Sequence, residues 1–281
     1  MRLLFVLLPT LFVAHAYAFE PLNTDDAATV GHEVHQIEAY FYAISANGTY
    51  DQVSDISPGE EFVGNGNART LPITYTYGIN EVTEASISTS YYFVPTGSYE
   101  PMSNYVLGIK WRFMGDGNTG FNLAAKPTLT LPSSNNQQAA GLGNAATNYG
   151  INLIASYYWQ DIAIHLNASY EREPYNHAYP VGGDSDLQRS NVYGVSIAPV
   201  WSIHPRLKLA LDIGTATNTP TNAPTYLNGY VMMAGIYSPS PTWDLGVAYL
   251  VSGNNIADAT TVSKSKRNGA DRFEVGVTWR F

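Results

Sequence analysis

Apolar and polar residues alternate along most of this chain. Ile151, Leu153, Ala155, Tyr157 and Trp159 share one face of a stretch whose other face carries Asn152, Ser156 and Gln160. Ile162, Ile164, Leu166, Ala168 and Tyr170 alternate with His165, Asn167, Ser169 and Glu171. Leu207, Leu209, Leu211 and Ile213 alternate with Lys208, Ala210, Asp212 and Gly214. Trp243, Leu245, Val247, Tyr249 and Val251 alternate with Asp244, Gly246 and Ala248. A period of two with one apolar face marks a β-strand exposed to two different surroundings. Twelve strands are predicted, near 33–45, 68–78, 82–94, 103–114, 120–131, 148–159, 162–172, 190–202, 206–215, 226–238, 242–252 and 270–281. A membrane strand tilted by about 45° needs about 9–11 residues to cross the hydrocarbon, and these segments are long enough.

The connections separate a soluble sandwich from a membrane barrel. Short ones (79–81, 115–119, 160–161, 203–205 and 238–241) alternate with long ones (46–67, 95–102, 132–147, 173–189, 216–225 and 253–269). Bacterial outer-membrane barrels have an even strand number, short periplasmic turns and long external loops. Trp111, Phe113, Tyr157, Trp159, Trp201, Trp243, Trp279 and Phe281 fall near the ends with short turns, where they would form an interfacial girdle. The expected fold is all-β, a single 12-stranded antiparallel outer-membrane β-barrel over residues 33–281, with both ends periplasmic.

Composition agrees. Only 13% of residues are charged and 21 are tyrosine. No cysteine is present, so disulfides, thiolate metal sites and a cysteine nucleophile are excluded. A net charge of −9 argues against nucleic acid as a partner. Residues 1–18 read as a signal peptide: Arg2, an apolar run from Leu3 to Ala14, then Ala16-Tyr17-Ala18 as a cleavage site. That run is too short to span the bilayer as a helix.

The final strand keeps its alternation through Phe273, Val275, Val277, Trp279 and Phe281. Pairing it with the first strand would leave no open edge in lipid. Phe281 resembles the C-terminal signal read by the barrel assembly machinery.

The stretch PLNTDDAATVGHEVHQIEAYF, with Thr24, Asp25, Asp26, Ala27, Gly31 and Glu38, resembles the start of the outer-membrane transporters named after the meta-pathway of phenol degradation. YTYGINEVTEASIS, with Tyr77-Gly78, and AAKPTLTLPSS, with Lys126, Pro127 and Pro132, fit as well. The Asn-, Gln-, Ala- and Gly-rich loop 132–147 departs from the pattern. The resemblance implies a monomeric barrel that passes small, often aromatic or apolar, compounds.

By parity the lumen face carries Glu38, Glu84, Lys110, Arg112, Lys126, His165, Glu171, Lys208, Asp212, Asp244, Glu274 and Arg280. These line a transport path or fill the barrel with ion pairs. Twelve strands lie between side-chain-filled barrels of about eight and open channels of about 16. Inward Gly, Ala and Ser positions such as Gly78, Ser86, Gly108, Gly246 and Gly276 favour free space. The acidic segment 19–32, with Glu20, Asp25 and Asp26, either forms a periplasmic leader or enters the lumen to meet Lys110, Arg112 or Arg280.

No enzyme is expected. His32, His35, His165, His177 and His204 lack a serine or acid partner that the sequence can name, and no metal or cofactor spacing occurs. The long loops carry Asp51, Asp55, Glu60, Glu61, Asp184, Asp186, Lys264, Lys266 and Arg267. The expected function is passive or facilitated passage of small molecules across the outer membrane. The alternative is a barrel without transport, whose loops bind a partner or lipopolysaccharide.

Overall fold

The computed structural model describes residues 21–47, 67–93, 101–139, 142–172, 191–218, 226–256 and 269–281. The leader, Glu20, His177 and the loop charges named above lie outside them. The strands are β1 (His35–Asn47), β2 (Asn67–Asn80), β3 (Thr83–Tyr92), β4 (Val106–Met114), β5 (Gly120–Thr130), β6 (Asn148–Trp159), β7 (Ile162–Arg172), β8 (Asn191–His204), β9 (Leu207–Asn218), β10 (Tyr226–Ser240), β11 (Trp243–Ile256) and β12 (Gly269–Arg280). Each strand pairs antiparallel with its sequence neighbours, and β1 pairs with β12, so the sheet is a closed barrel. Closure satisfies every strand edge, the condition for crossing lipid as a sheet. All twelve strands fall where the alternation places them.

The predicted lipid face is exposed along the strands: Leu153, Leu166, Leu209 and Val247 all point outward. The buried residues of the same strands point to the lumen, among them Ile154, His165, Ala210 and Ala248. Loop 132–147 has structure the sequence did not announce, a short helix α1 (Asn135–Ala139). Asn104 ties this loop down, its amide donating to the carbonyls of Leu131 and Asn144. The β3–β4 seam carries the shortest ladder, Thr83–Ser88 against Val106–Trp111, with a further isolated bridge between Tyr91 and Met102.

At the short-turn end an aromatic row staples the closure seam. Trp243 stacks on Trp279, Trp279 on Phe281, and Phe281 on His35, with centroids 5.6, 4.3 and 5.2 Å apart. His35 Nδ1 and the Tyr75 hydroxyl are 2.7 Å apart, which extends the row to β2. Phe281 therefore has a packing role beside any part in assembly. Ring pairs of this kind contribute about 0.5–1.5 kcal/mol, and the hydrogen bond about 1 kcal/mol. His35→Ala is expected to lower stability by about 1–2 kcal/mol. Urea unfolding of the refolded barrel in detergent checks this; an unchanged midpoint would show that the row contributes nothing.

Candidate functional site

Residues 21–32 lie inside the barrel. The chain leaves β1 at the short-turn end, where Glu33 N–H donates to the Gly78 carbonyl. It then follows the inner wall from strand to strand. Thr29 donates to the Glu81 carbonyl, and Val30 N–H donates to Glu84 Oε2. Ala27 N–H donates to Ser156 Oγ on β6. Asn167 on β7 grips Asp25 twice, accepting from its N–H and donating to its carbonyl. Thr24 reaches Ser196 on β8 and gives both its N–H and its hydroxyl to Asp212 on β9. Arg272 on β12 donates to Asn23 Oδ1. Pro21 lies beside Gly246 on β11.

Small inward residues make this path feasible, and this corrects their reading as free space. A Cβ on Gly78 would fall 1.5 Å from the Gly31 carbonyl oxygen. A Cβ on Gly246 or Gly276 would strike the Tyr40 ring. The space these glycines leave is filled by backbone and by an aromatic ring.

Charge holds the centre of the segment. Lys110 on β4 is buried and lies 3.0 Å from Asp25, 3.9 Å from Asp26 and 3.2 Å from Glu84. Lys126 on β5 lies 2.8 Å from the second oxygen of Asp25. Each oxygen of the Asp25 carboxylate thus faces one ammonium group. Burial opposes ionisation of Asp25, but Lys110 and Lys126 outweigh it and hold the carboxyl well below its usual range. Asp26 behaves oppositely. Burial, together with the negative charges of Asp25 and Glu84, pushes its acid group up to about 7 against the pull of Lys110. Lys110 also donates to the carbonyls of Asp26 and Ala28, so its attraction is divided.

An apolar anchor stands across the lumen. Leu22 belongs to one buried apolar cluster with Ala198, Val200, Met232, Ala234 and Leu250 on the inner wall of β8, β10 and β11. The Ala27 methyl packs against Ala124 and Ile154. One cavity of about 170 Å³ is lined by Asn23, Tyr42, Ile44, Thr70, Tyr92 and Arg272. Another, of about 200 Å³, includes Ala28, Gly31, His32, Arg112 and Asp116. They share no lining residue.

Of the predicted lumen residues, Glu84, Lys110, Arg112, His165, Asp212, Asp244, Glu274 and Arg280 are buried on the inner face. Glu38, Lys126 and Lys208 are half-buried there, and Glu171 is exposed near the end of β7. Arg112 and Arg280, expected partners of the segment, turn elsewhere. Arg112 donates to the carbonyls of Gly115 and Glu81, while Arg280 pairs with Asp244 at 2.7 Å and donates to Gln36. Two tight turns present those carbonyls: Gly115 lies three positions along the chain from Arg112, and Glu81 sits in the adjoining turn between β2 and β3.

Arg272 was missed. It is 1% exposed, lies 2.6 Å from Glu274, and its guanidinium sits over the Tyr42 ring. Its even number places it on the face of Glu274 and Arg280, so parity alone could have found it. No sequence signal pointed to the pairing of Thr24 with Asp212, which meet across 188 residues. Ser156 Oγ and His165 Nδ1 are 2.8 Å apart, but the pair lies inside the lumen beneath Ala27. Among the described residues no group of three or more His, Asp or Glu side chains is placed to hold a metal ion.

The family described as "Putative MetA-pathway of phenol degradation" matches residues 105–281. The solved COG4313 outer membrane channel from Pseudomonas putida F1 is similar, with a TM-score of 0.62 and 12% identity over 91% of this chain and 98% of that one. The NanC porin gives a TM-score of 0.53 and 13% identity over 86% of this chain and 98% of that one. At such identities the likeness concerns the fold. No curated protein matches the chain. The match spans more than half the sequence and takes in β4 to β12, nine of the twelve strands of the closed barrel; the chain belongs to the family described as "Putative MetA-pathway of phenol degradation" and has the fold of an outer-membrane β-barrel.

Proposed function

We propose that the protein is an outer-membrane channel for small solutes, closed at rest by its own residues 21–32. The observation that carries this reading is the path of that segment, hydrogen-bonded from β3 round to β12 on the inner wall of a closed barrel. A segment held by hydrogen bonds and ion pairs exchanges them for water when it leaves. Glu38, Glu84, Lys110, Arg112, Lys126, His165, Lys208, Asp212, Asp244, Glu274 and Arg280 then line the path. The solute is a small aromatic or apolar compound, the working unit is a monomer, and the long loops face lipopolysaccharide. Residues 1–18 direct export and are cleaved, and the barrel assembly machinery inserts the mature chain.

The test is conductance of the refolded mature protein in a planar bilayer, with and without residues 19–32. The intact protein is expected to be nearly silent, and the shortened one to give stable steps. Silence in both forms, with the shortened barrel shown to be folded, would overturn a path through the lumen.

A further inference from the structure

The segment inside the barrel has the form of a ligand. Leu22 is buried against an apolar wall on one side, and the Asp25 carboxylate is shared by two lysines on the other. They are three positions apart in the chain, so their Cα atoms lie about 10 Å apart at most. We infer that Lys110, Lys126 and the apolar wall of β8, β10 and β11 form a binding site for solutes that join a carboxylate to an apolar body, and that such a solute enters by displacing Asp25 and Leu22. The inference rests on the channel reading above and adds to it the chemical class of solute.

Three features support an exchange of ligands at this site. First, the recognition fits a carboxylate: each Asp25 oxygen takes one ammonium, at 3.0 and 2.8 Å. Second, the two lysines differ. The Lys110 side chain is 1% exposed and keeps Glu84 when Asp25 leaves. The Lys126 side chain is 31% exposed, so an incoming carboxylate reaches it before Asp25 has gone. Third, the opposite wall is apolar where the segment uses it. Ala198, Val200, Met232 and Leu250, which share a buried apolar cluster with Leu22, are each at most 3% exposed. Losing Leu22 alone would uncover that apolar area to water, at a cost of about 25 cal/mol per Å². An apolar body covers it again. A carboxylate without such a body replaces only half of what the segment provides.

The chain has no cysteine, so one introduced thiol is a unique reporter. Ala28 is 1% exposed and borders the cavity of about 200 Å³, where sulfur has room. In the full mature chain carrying Ala28→Cys, the rate of modification by a water-soluble maleimide reports release of the segment. Phenylbutyrate is expected to raise that rate about tenfold, an ordinary coupling between two ligands. Phenylbutanol, with the same body and no charge, and acetate, with the charge and no body, are expected to do much less. Adding Lys126→Gln should remove the phenylbutyrate effect, and Lys126→Arg should keep it. Equal acceleration by the alcohol, no acceleration by phenylbutyrate, or an effect that survives Lys126→Gln would each overturn the inference. Labelling reports displacement whether or not solute crosses. A response in this assay with silence of the shortened barrel would reject passage and retain the site; conducting barrels without a response would do the reverse.

Discussion

Lys110→Met is expected to free residues 21–32 and turn a nearly silent barrel into a conducting one. The substitution keeps the length of the side chain and removes its charge. Asp25, Asp26 and Glu84 then lose the ammonium that all three approach. Removing one partner of a buried ion pair costs about 3–5 kcal/mol, because the remaining charge has neither water nor a counter-ion. Residues 21–32 can escape that cost by leaving the lumen, whereas Glu84 belongs to β3 and cannot. The loss should therefore fall on docking of the segment more than on the barrel. A change of that size shifts the docked-to-released ratio by more than about a hundredfold. Bilayer conductance is the readout. The double variant Lys110→Met with Asp26→Asn should be quieter than the single one, since it leaves one fewer unpaired carboxylate. A single variant as silent as the natural protein would show that this cluster does not hold the segment.

Acid should close the barrel more firmly, through Asp26. In the docked segment burial and the charges of Asp25 and Glu84 place its acid group at about 7. A released segment in water titrates near the ordinary aspartate value of about 3.9. The docked state thus binds the extra proton, and docking gains from acid between about pH 7 and pH 4, roughly tenfold per pH unit. Above about pH 7 this group adds no further change. Asp25 has the opposite sign: its docked carboxyl lies below the ordinary value, so its contribution fades only as pH falls below about 4. The other charged or titratable groups acting on Asp25 and Asp26 are Lys110, Lys126, Glu84, His165, Tyr158 and Lys208. Measured between pH 5 and pH 7.5, openings should become up to about a hundredfold rarer on the acid side. Asp26→Asn should flatten the profile. A variant with the profile of the natural protein would assign the pH response to another group.

The strands and their two faces were readable because the information is local. Leu153 points to lipid and Ile154 to the lumen through the pleat of a single strand, and neighbouring strands do not alter that parity. The membrane followed from strand length, alternating loop length and the aromatic ends. Parity likewise put Lys110, Glu84 and Asp212 on the inner face. It did not say what they meet there.

The partners depended on closure and on the path of a segment with no periodicity. Lys110 and Asp25 are 85 residues apart, and Thr24 and Asp212 are 188 apart. No spacing rule spans such distances. The sequence left residues 19–32 as either a periplasmic leader or a segment entering the lumen, and offered Arg112 and Arg280 as partners on equal terms with Lys110. Only the folded barrel separates them, because Glu81 and Gly115 engage Arg112, and Asp244 engages Arg280. By itself the sequence determined a barrel of twelve strands and the sign of the charges within it, since both follow from alternation along each strand. The tertiary structure decided which charges pair and how the glycine gaps are filled, since these depend on distances across the lumen that exist only once β1 has met β12.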